Sequence, residues 1–166
     1  MVLGLPRGGV PVAAEVADAL AAALDVIVVR KLGVPGREEL ALGAIASGGV
    51  RVLNEQVLAA VDADTREVEE VAERELAELE RQEREFRGGH SAPALAGRTA
   101  VLVDDGLATG ASMRAAVAAV RGQGAAAVIV AVPVAPRDTV VGLEAEGETV
   151  VLSLIHISEP TRQAEI

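Results

Sequence analysis

The chain of 166 residues contains no cysteine, tryptophan or tyrosine, and Phe86 is its single phenylalanine. The absence of cysteine excludes disulfide bonds and thiolate metal sites, and it favours a reducing compartment. Hydrophobic residues make up 51% of the chain but aromatic residues only 1%. We therefore predict a core of small aliphatic side chains, and the length suffices for one domain.

Long apolar runs are also lacking. No run approaches the roughly 18 residues that a membrane-spanning helix requires, and nothing before the first predicted strand resembles a signal peptide. We therefore expect a cytoplasmic protein with no membrane partner. The formal net charge of −10 argues against nucleic acid as a partner, because binding to a phosphate backbone needs stripes of Lys and Arg. A small phosphate ligand needs only a local site and stays compatible with this charge.

Short β-branched runs alternate with Ala-rich stretches of helical periodicity. Strands are predicted at residues 1–6, 25–29, 99–103 and 127–132, and from 149 onward. Helices are predicted at 112–122, at 137–146 and after the first strand, the last of these with one face formed by Val12, Val16, Ala19 and Leu20. Continuous Val and Ile strands are typical of a sheet buried on both faces. This order predicts a doubly wound α/β fold, with a mostly parallel sheet and helices on both faces.

The middle of the chain departs from this alternation. Residues 34–40 are predicted as a Pro/Gly loop, and residues 41–54 as two short strands around a Ser-Gly-Gly turn. Residues 55–87 are charged and helical, with an apolar stripe at helical spacing formed by Val68, Ala72, Leu76, Leu79 and then Phe86. We predict a helical insertion that packs along the domain. The stripe also permits an antiparallel partner helix, which leaves a homodimer open.

The end of the chain differs in composition from the rest. Leu152–Ile166 begins "LSLIHISEPTR", which resembles the in-frame translation of a sequencing-library adapter. We therefore expect a core domain over residues 1–151 and a tail over 152–166 that is not native. We also expect the natural protein to extend beyond both ends of this core.

Two adjacent carboxylates end the strand at 99–103. Asp104 and Asp105 precede a loop of small residues, and a helix follows. Glycines in such a loop let the backbone approach a ligand, while loop and helix N–H groups, with the hydroxyls of Thr109 and Ser112, form an anion site. Because carboxylates would repel that anion, they must face hydroxyl groups or a hydrated Mg²⁺. In a doubly wound fold, ligands lie at this end of the strands.

The stretch "VLVDDGLATGAS" (residues 101–112) resembles the ribose-phosphate motif of the type I phosphoribosyltransferases, which bind 5-phosphoribosyl-1-pyrophosphate (PRPP). The resemblance covers the order of elements over residues 2–151. It implies that Asp104 and Asp105 hold the ribose 2- and 3-hydroxyls, with Mg²⁺ nearby bound through PRPP and water. It also implies a cradle for the 5-phosphate formed by Ala108, Thr109, Gly110, Ala111 and Ser112.

Two further segments resemble the same family. "LPRGGVPVA" is similar to its pyrophosphate loop, which implies that Arg7, Gly8 and Gly9 contact pyrophosphate. "VVRKLG" is similar to the segment after its second strand, which implies that Arg30 or Lys31 lies near pyrophosphate. The implied reaction transfers the phosphoribosyl group to a nitrogenous acceptor, with Arg7 and Lys31 as catalytic residues that stabilise the departing pyrophosphate.

The resemblance has limits that leave alternatives open. Ala108 stands where members acting on 6-oxopurines carry an acidic residue, which counts against that acceptor class. The family's acceptor pocket is built by a hood outside the core, so we expect this chain by itself to lack transfer activity. The same loops would also suit a PRPP-sensing regulatory module that does not turn over, or a generic phosphosugar-binding α/β hydrolase.

Overall fold

The computed structural model describes residues 1–34, 37–61 and 65–153. Its elements in chain order are β1 (Val2–Gly4), α1 (Gly9–Ala19), β2 (Leu24–Val26), β3 (Val29–Val34), β4 (Arg37–Ala46), β5 (Val50–Leu53), α2 (Glu55–Val61), α3 (Thr65–Arg87), β6 (Thr99–Val103), α4 (Ala111–Gly122), β7 (Ala127–Val132), α5 (Arg137–Ala145) and β8 (Thr149–Leu152). In these ranges no helix has both the length and the apolar character needed to cross a membrane.

Five strands form a parallel sheet in the order β2-β1-β6-β7-β8. Its central side chains are fully buried, as for Leu102 in β6 and Val130 in β7, which explains why these strands read as continuous aliphatic runs. The strand order runs one way from β1 to β2 and the other way from β6 to β8. The switch therefore lies between β1 and β6, which pair from Val2 with Val101 to Gly4 with Val103. The predicted α/β fold is confirmed, and a ligand crevice is expected at this switch.

Helix α1 packs on the sheet through its smallest residues. Its buried positions are Gly9, Ala13 and Ala17, and a Cβ added at Gly4 of β1 would lie 2.9 Å from the Ala13 Cβ. The predicted face is correct only in part: Val12 and Val16 are half-buried and pack against the cluster that contains Ala13 and Ala17, whereas Leu20 is 58% exposed. The reason is the close approach of helix and strand, which only small side chains allow.

The segment after β1 and α1 also differs from its prediction. The expected strand over residues 25–29 is interrupted, because β2 ends at Val26 and β3 begins at Val29 in a second, antiparallel sheet of order β3-β4-β5. The segment Arg30–Gly33, expected at a strand end, lies inside β3. The predicted loop over 34–40 is wrong where the structure describes it, since residues 37–40 belong to β4. The predicted turn at residues 47–49 is confirmed.

The helical insertion packs on this second sheet. Val68, Ala72 and Leu79 of α3 are buried together with Leu32 and Ile45 of the strands. The stripe is therefore covered within the chain and gives no argument for a partner helix, and the homodimer stays a prediction. Phe86 does not continue the stripe, because 38% of its surface is exposed. The end of α3 is held instead by Arg87, whose Nε donates to Asp25 Oδ2 at 3.1 Å.

Strand β8 closes the described part of the chain. Leu152, placed in the tail by its composition, pairs with Val132 of β7. Ser153 N–H then donates to the Val132 carbonyl at 3.3 Å. The remainder of the tail lies outside the described residues.

Candidate functional site

The acidic pair lies at the switch between β1 and β6. Asp104 is half-buried and Asp105 is exposed, and the Asp105 N–H donates to Asp104 Oδ1 at 2.9 Å. Burial is the largest influence on Asp104 and raises its pKa to about 6, against a lowering by that backbone hydrogen bond and a further raising by the neighbouring Asp105. Asp104 therefore changes its charge close to neutral pH, while the two carboxylates can together accept several hydrogen bonds from a polyhydroxyl ligand.

The Arg7-Gly8-Gly9 turn lies directly against this pair. The Leu5 N–H donates to the Val103 carbonyl at 2.9 Å, which holds the end of β1 beside the end of β6. A Cβ at Gly8 would collide with the Asp105 carboxylate, and a Cβ at Gly9 would lie 2.6 Å from the Val103 carbonyl oxygen. Both positions therefore need glycine for close approach. Helix α1 begins at Gly9 beside this crevice, and the Gly9 N–H already donates to the Leu5 carbonyl at 3.0 Å.

The segment from Ala108 to Ser112 forms the entry to α4. Gly110 caps the helix with a left-handed backbone (φ +76°), a conformation that glycine adopts readily. Thr109 Oγ1 accepts a long hydrogen bond from the Ala111 N–H at 3.5 Å. Thr109, Ala111 and Ser112 are exposed and line a cavity of about 670 Å³. This loop therefore presents hydroxyl and amide donors to an open space large enough for a phosphosugar.

The two basic residues of β3 contact different parts of the structure. Lys31 lines the cavity beside Thr109 and Ser112. Arg30 donates to Glu75 of α3, at 2.7 Å from Nη2 and 2.9 Å from Nε, and lines a separate cavity of about 510 Å³ together with Arg7. Successive side chains of a strand face opposite sides, which explains the divergence. The structure thus brings Lys31 to the loop at residues 108–112 and Arg30 to the insertion.

Two residues that the sequence analysis missed donate hydrogen bonds to backbone carbonyls of the loop at residues 108–112. Thr139 Oγ1 in α5 donates to the Ala108 carbonyl at 2.7 Å. Arg114 in α4 donates from Nη1 to the Thr109 carbonyl at 2.9 Å and from Nε to Glu146 Oε1 at 2.7 Å. Arg114 lies in the first turn of a helix made mostly of small apolar residues, which was the one available signal, and nothing in the pattern pointed to Thr139.

A protein-only metal site is absent from the described ranges, where no three His, Cys, Asp or Glu side chains cluster. Asp104 and Asp105 nevertheless provide carboxylate oxygens at the crevice, one of them on an exposed side chain. Mg²⁺ keeps several waters and is commonly bound by one or two carboxylates plus substrate phosphates. The residues present therefore fit a hydrated Mg²⁺ shared with a phosphorylated ligand.

Comparison with known proteins places this crevice in a family. The sequence model described as "Phosphoribosyl transferase domain" matches residues 1–146. Two Mycobacterium tuberculosis proteins, MT0597 of strain CDC 1551 and Rv0571c of strain H37Rv, are each 54% identical over 140 residues, which is 84% of this chain and 32% of theirs. Their names assign them provisionally as phosphoribosyl transferases. The chain spans about a third of their length.

Solved structures give the same result. TT1426 from Thermus thermophilus superposes with a TM-score of 0.80 at 45% identity, over 96% of this chain and 75% of that one. AQ2163 from Aquifex aeolicus, at 11% identity and a TM-score of 0.54 over 93% of this chain and 53% of its own, shares the fold. The acidic pair meets the glycine turn and is followed directly in the chain by the small-residue loop, and the chain belongs to the phosphoribosyl transferase domain family.

Proposed function

We propose that this chain binds PRPP and takes part in the transfer of the 5-phosphoribosyl group to a nitrogenous acceptor, with release of pyrophosphate. The observation that carries this proposal is the close approach of Gly8 to the Asp105 carboxylate. It joins an anion-binding turn to a hydroxyl-binding pair, and the loop at 108–112 follows directly in the chain. Membership of the family supports the same reaction class.

The acidic pair and the loop divide the ribose 5-phosphate between them. Asp104 and Asp105 accept hydrogen bonds from the ribose 2- and 3-hydroxyls, for which their ionised forms are the better acceptors. The loop residues Ala108, Thr109, Gly110, Ala111 and Ser112 hold the 5-phosphate through amide N–H groups and hydroxyls. The phosphate charge then lies at the positive end of α4, separated from the carboxylates by the sugar.

The turn at Arg7 and the side chain of Lys31 hold the pyrophosphate. The Gly8 amide, with the charges of Arg7 and Lys31, stabilises the negative charge that develops as the bond to C1 breaks. The Gly9 N–H donates to the Leu5 carbonyl, so Gly9 contributes by allowing the close approach of the turn. We assign the pyrophosphate contact to Lys31 because Lys31 lines the cavity beside Thr109 and Ser112. Mg²⁺, held through PRPP oxygens and water near Asp104 and Asp105, would supply electrophilic assistance to the leaving group.

Calorimetry of PRPP binding in the presence of Mg²⁺ tests the proposal. Asp104→Asn and Asp105→Asn should each weaken binding about ten- to hundredfold, since each loses a hydrogen bond to a charged group. Asp138→Asn is the matched control, because Asp138 is exposed in the first turn of α5; its affinity should equal that of the wild type. Equal affinity in all four proteins would contradict the assignment of the ribose site.

A second assay addresses the chemistry. Pyrophosphate release is followed with PRPP, Mg²⁺ and a panel of nucleobases and amines. Release that depends on one acceptor class identifies the transferase. Tight binding of PRPP without release of pyrophosphate for any acceptor would favour a regulatory PRPP-sensing module. Hydrolysis of phosphosugars that lack pyrophosphate would favour a hydrolase.

A further inference from the structure

Two carbonyl groups of the loop at residues 108–112 accept hydrogen bonds from side chains of α4 and α5. Thr139 Oγ1 donates to the Ala108 carbonyl at 2.7 Å, and Arg114 Nη1 donates to the Thr109 carbonyl at 2.9 Å. Thr139 is buried, so its hydroxyl exchanges little with water. Two successive peptide units are thereby fixed on their carbonyl sides.

The opposite sides of these peptide units carry the N–H groups. Both peptide bonds are trans, and in a trans peptide the C=O and the following N–H point in opposite directions. The N–H groups of Thr109 and Gly110 are therefore turned away from the two donors. Neither finds an acceptor among the described residues. Successive N–H groups beside a left-handed residue such as Gly110 form a concave anion site.

The contact depends on glycine at two positions. A Cβ at Gly110 would lie 2.8 Å from Thr139 Cγ2 and 3.1 Å from Arg114 Nη1, and a Cβ at Gly142 would lie 2.8 Å from Arg114 Nη2. Helix α5 and the guanidinium can approach the loop only because both positions lack a side chain. Glu146 then fixes the guanidinium from its other edge, at 2.7 Å from Nε.

We propose that Thr139 and Arg114 are positioning residues that set the direction of the Thr109 and Gly110 N–H groups, and with it the affinity of the loop for the 5-phosphate of PRPP. The inference rests on the proposed function. Thr139 acts without touching the ligand, through the peptide unit between Ala108 and Thr109. Helix α5, which carries no residue of the acidic pair or of the glycine turn, thus becomes part of the binding apparatus.

Two probes separate this role from general stability. Ribose 5-phosphate occupies the loop and the acidic pair, whereas Mg²⁺-pyrophosphate occupies the glycine turn. Thr139→Val keeps the shape and removes the hydroxyl, and Thr139→Ser restores it. Arg114→Met removes the second donor. Thr149→Val is the matched control, because Thr149 is exposed at the start of β8.

Calorimetry with each probe, and a thermal melt for each variant, give the outcome. We expect Thr139→Val and Arg114→Met each to weaken ribose 5-phosphate binding about tenfold, with pyrophosphate binding within about twofold of the wild type. Thr139→Ser and Thr149→Val should match the wild type. Unchanged ribose 5-phosphate affinity in Thr139→Val and Arg114→Met would overturn the inference and leave the proposed function standing. The same conclusion would follow if either variant lost affinity equally for ribose 5-phosphate and for pyrophosphate. A wild-type chain that binds neither probe nor PRPP would contradict the proposed function itself.

Discussion

Asp104 Oδ1 accepts a hydrogen bond from the backbone N–H of Asp105 at 2.9 Å, so the first carboxylate of the pair is oriented by the residue that carries the second. That bond favours the ionised form of Asp104. Burial opposes it more strongly, and the charge of Asp105 opposes it further, so the pKa of Asp104 is raised to about 6. The pair therefore combines a carboxylate that titrates near neutrality with an exposed one.

The raised pKa gives PRPP binding a pH dependence. Ionised Asp104 is the better acceptor for a ribose hydroxyl and the better neighbour for Mg²⁺, so affinity should rise as the pH increases from about 5 to about 7. Calorimetry across this range checks it. The phosphates of PRPP also titrate, so the pH dependence of affinity is measured for Asp104→Asn as well. The prediction is that affinity rises more steeply with pH in the wild type than in this variant. Parallel curves for the two proteins would contradict the prediction.

The same shift predicts the opposite trend for the stability of the free protein. The folded state binds the Asp104 proton more tightly than the unfolded state, whose pKa is close to the ordinary 3.8. The contribution of this group is therefore fully present below about pH 4 and is lost as the pH rises through about 6. Asp104→Asn should show a smaller decline in the free energy of unfolding over this window, measured by urea denaturation.

Gly8→Ala should separate binding from stability. Gly8 has a helical backbone (φ −63°) that alanine adopts without strain, and the atoms nearest to the added Cβ belong to the Asp105 carboxylate, which would have to move aside. The free energy of unfolding should therefore change by less than about 1 kcal/mol, whereas PRPP affinity falls at least tenfold because the carboxylate is displaced. Gly122→Ala, whose Cβ would make an ordinary contact at 3.4 Å with Val50, should alter neither quantity appreciably.

Lys31→Met and Arg30→Met should act differently although the residues are adjacent. Lys31→Met should weaken pyrophosphate binding, because Lys31 lies at the cavity beside the phosphate loop. Arg30→Met removes the nearer of two arginine partners of Glu75, whose side chain is only 15% exposed, and leaves Arg74 at 3.6 Å; it should lower the free energy of unfolding by about 1 kcal/mol. Pyrophosphate calorimetry and urea denaturation of both variants measure the two effects. A larger binding loss in Arg30→Met would reverse our assignment.

Leu79→Ala tests the packing of the insertion. Leu79 is fully buried between α3 and the second sheet, so its truncation should cost about 2–5 kcal/mol of unfolding free energy. Phe86→Ala, near the end of the same helix, should cost less because the ring is partly exposed. If Leu79 instead served a partner helix, the loss would depend on protein concentration, which denaturation at two concentrations detects.

The parallel sheet was predictable because its strands are buried on both faces, which forces continuous aliphatic runs such as residues 99–103. The position of the acidic pair at the switch was predictable because the pair directly follows such a run; its role stays a prediction. Strand β3 was missed since Arg30 and Lys31 suggested a solvated strand end. Only the second sheet, which buries Leu32 and Val34, shows why a strand continues there.

The support behind the loop was not predictable for another reason. Thr139 and Arg114 act on backbone carbonyls, which every residue has, so no pattern of side chains marks their targets. The α1 face was predicted only in part because periodicity favours larger apolar residues, whereas Gly4 allows α1 to approach the strand so closely that Ala13 is the contact. Both misses arise from backbone geometry.

Helix α4 joins the two sheets. Its N-terminus carries the phosphate loop, while Gln123 after its last turn donates to the Ser47 carbonyl at 3.2 Å, and Ser47 Oγ accepts from the Val28 N–H at 2.8 Å just before β3. Lys31 lies in the second sheet, whereas Ser112 lies in the first turn of α4. Gln123 and Ser47 therefore link the end of α4 that is opposite the loop to the start of the strand that carries Lys31.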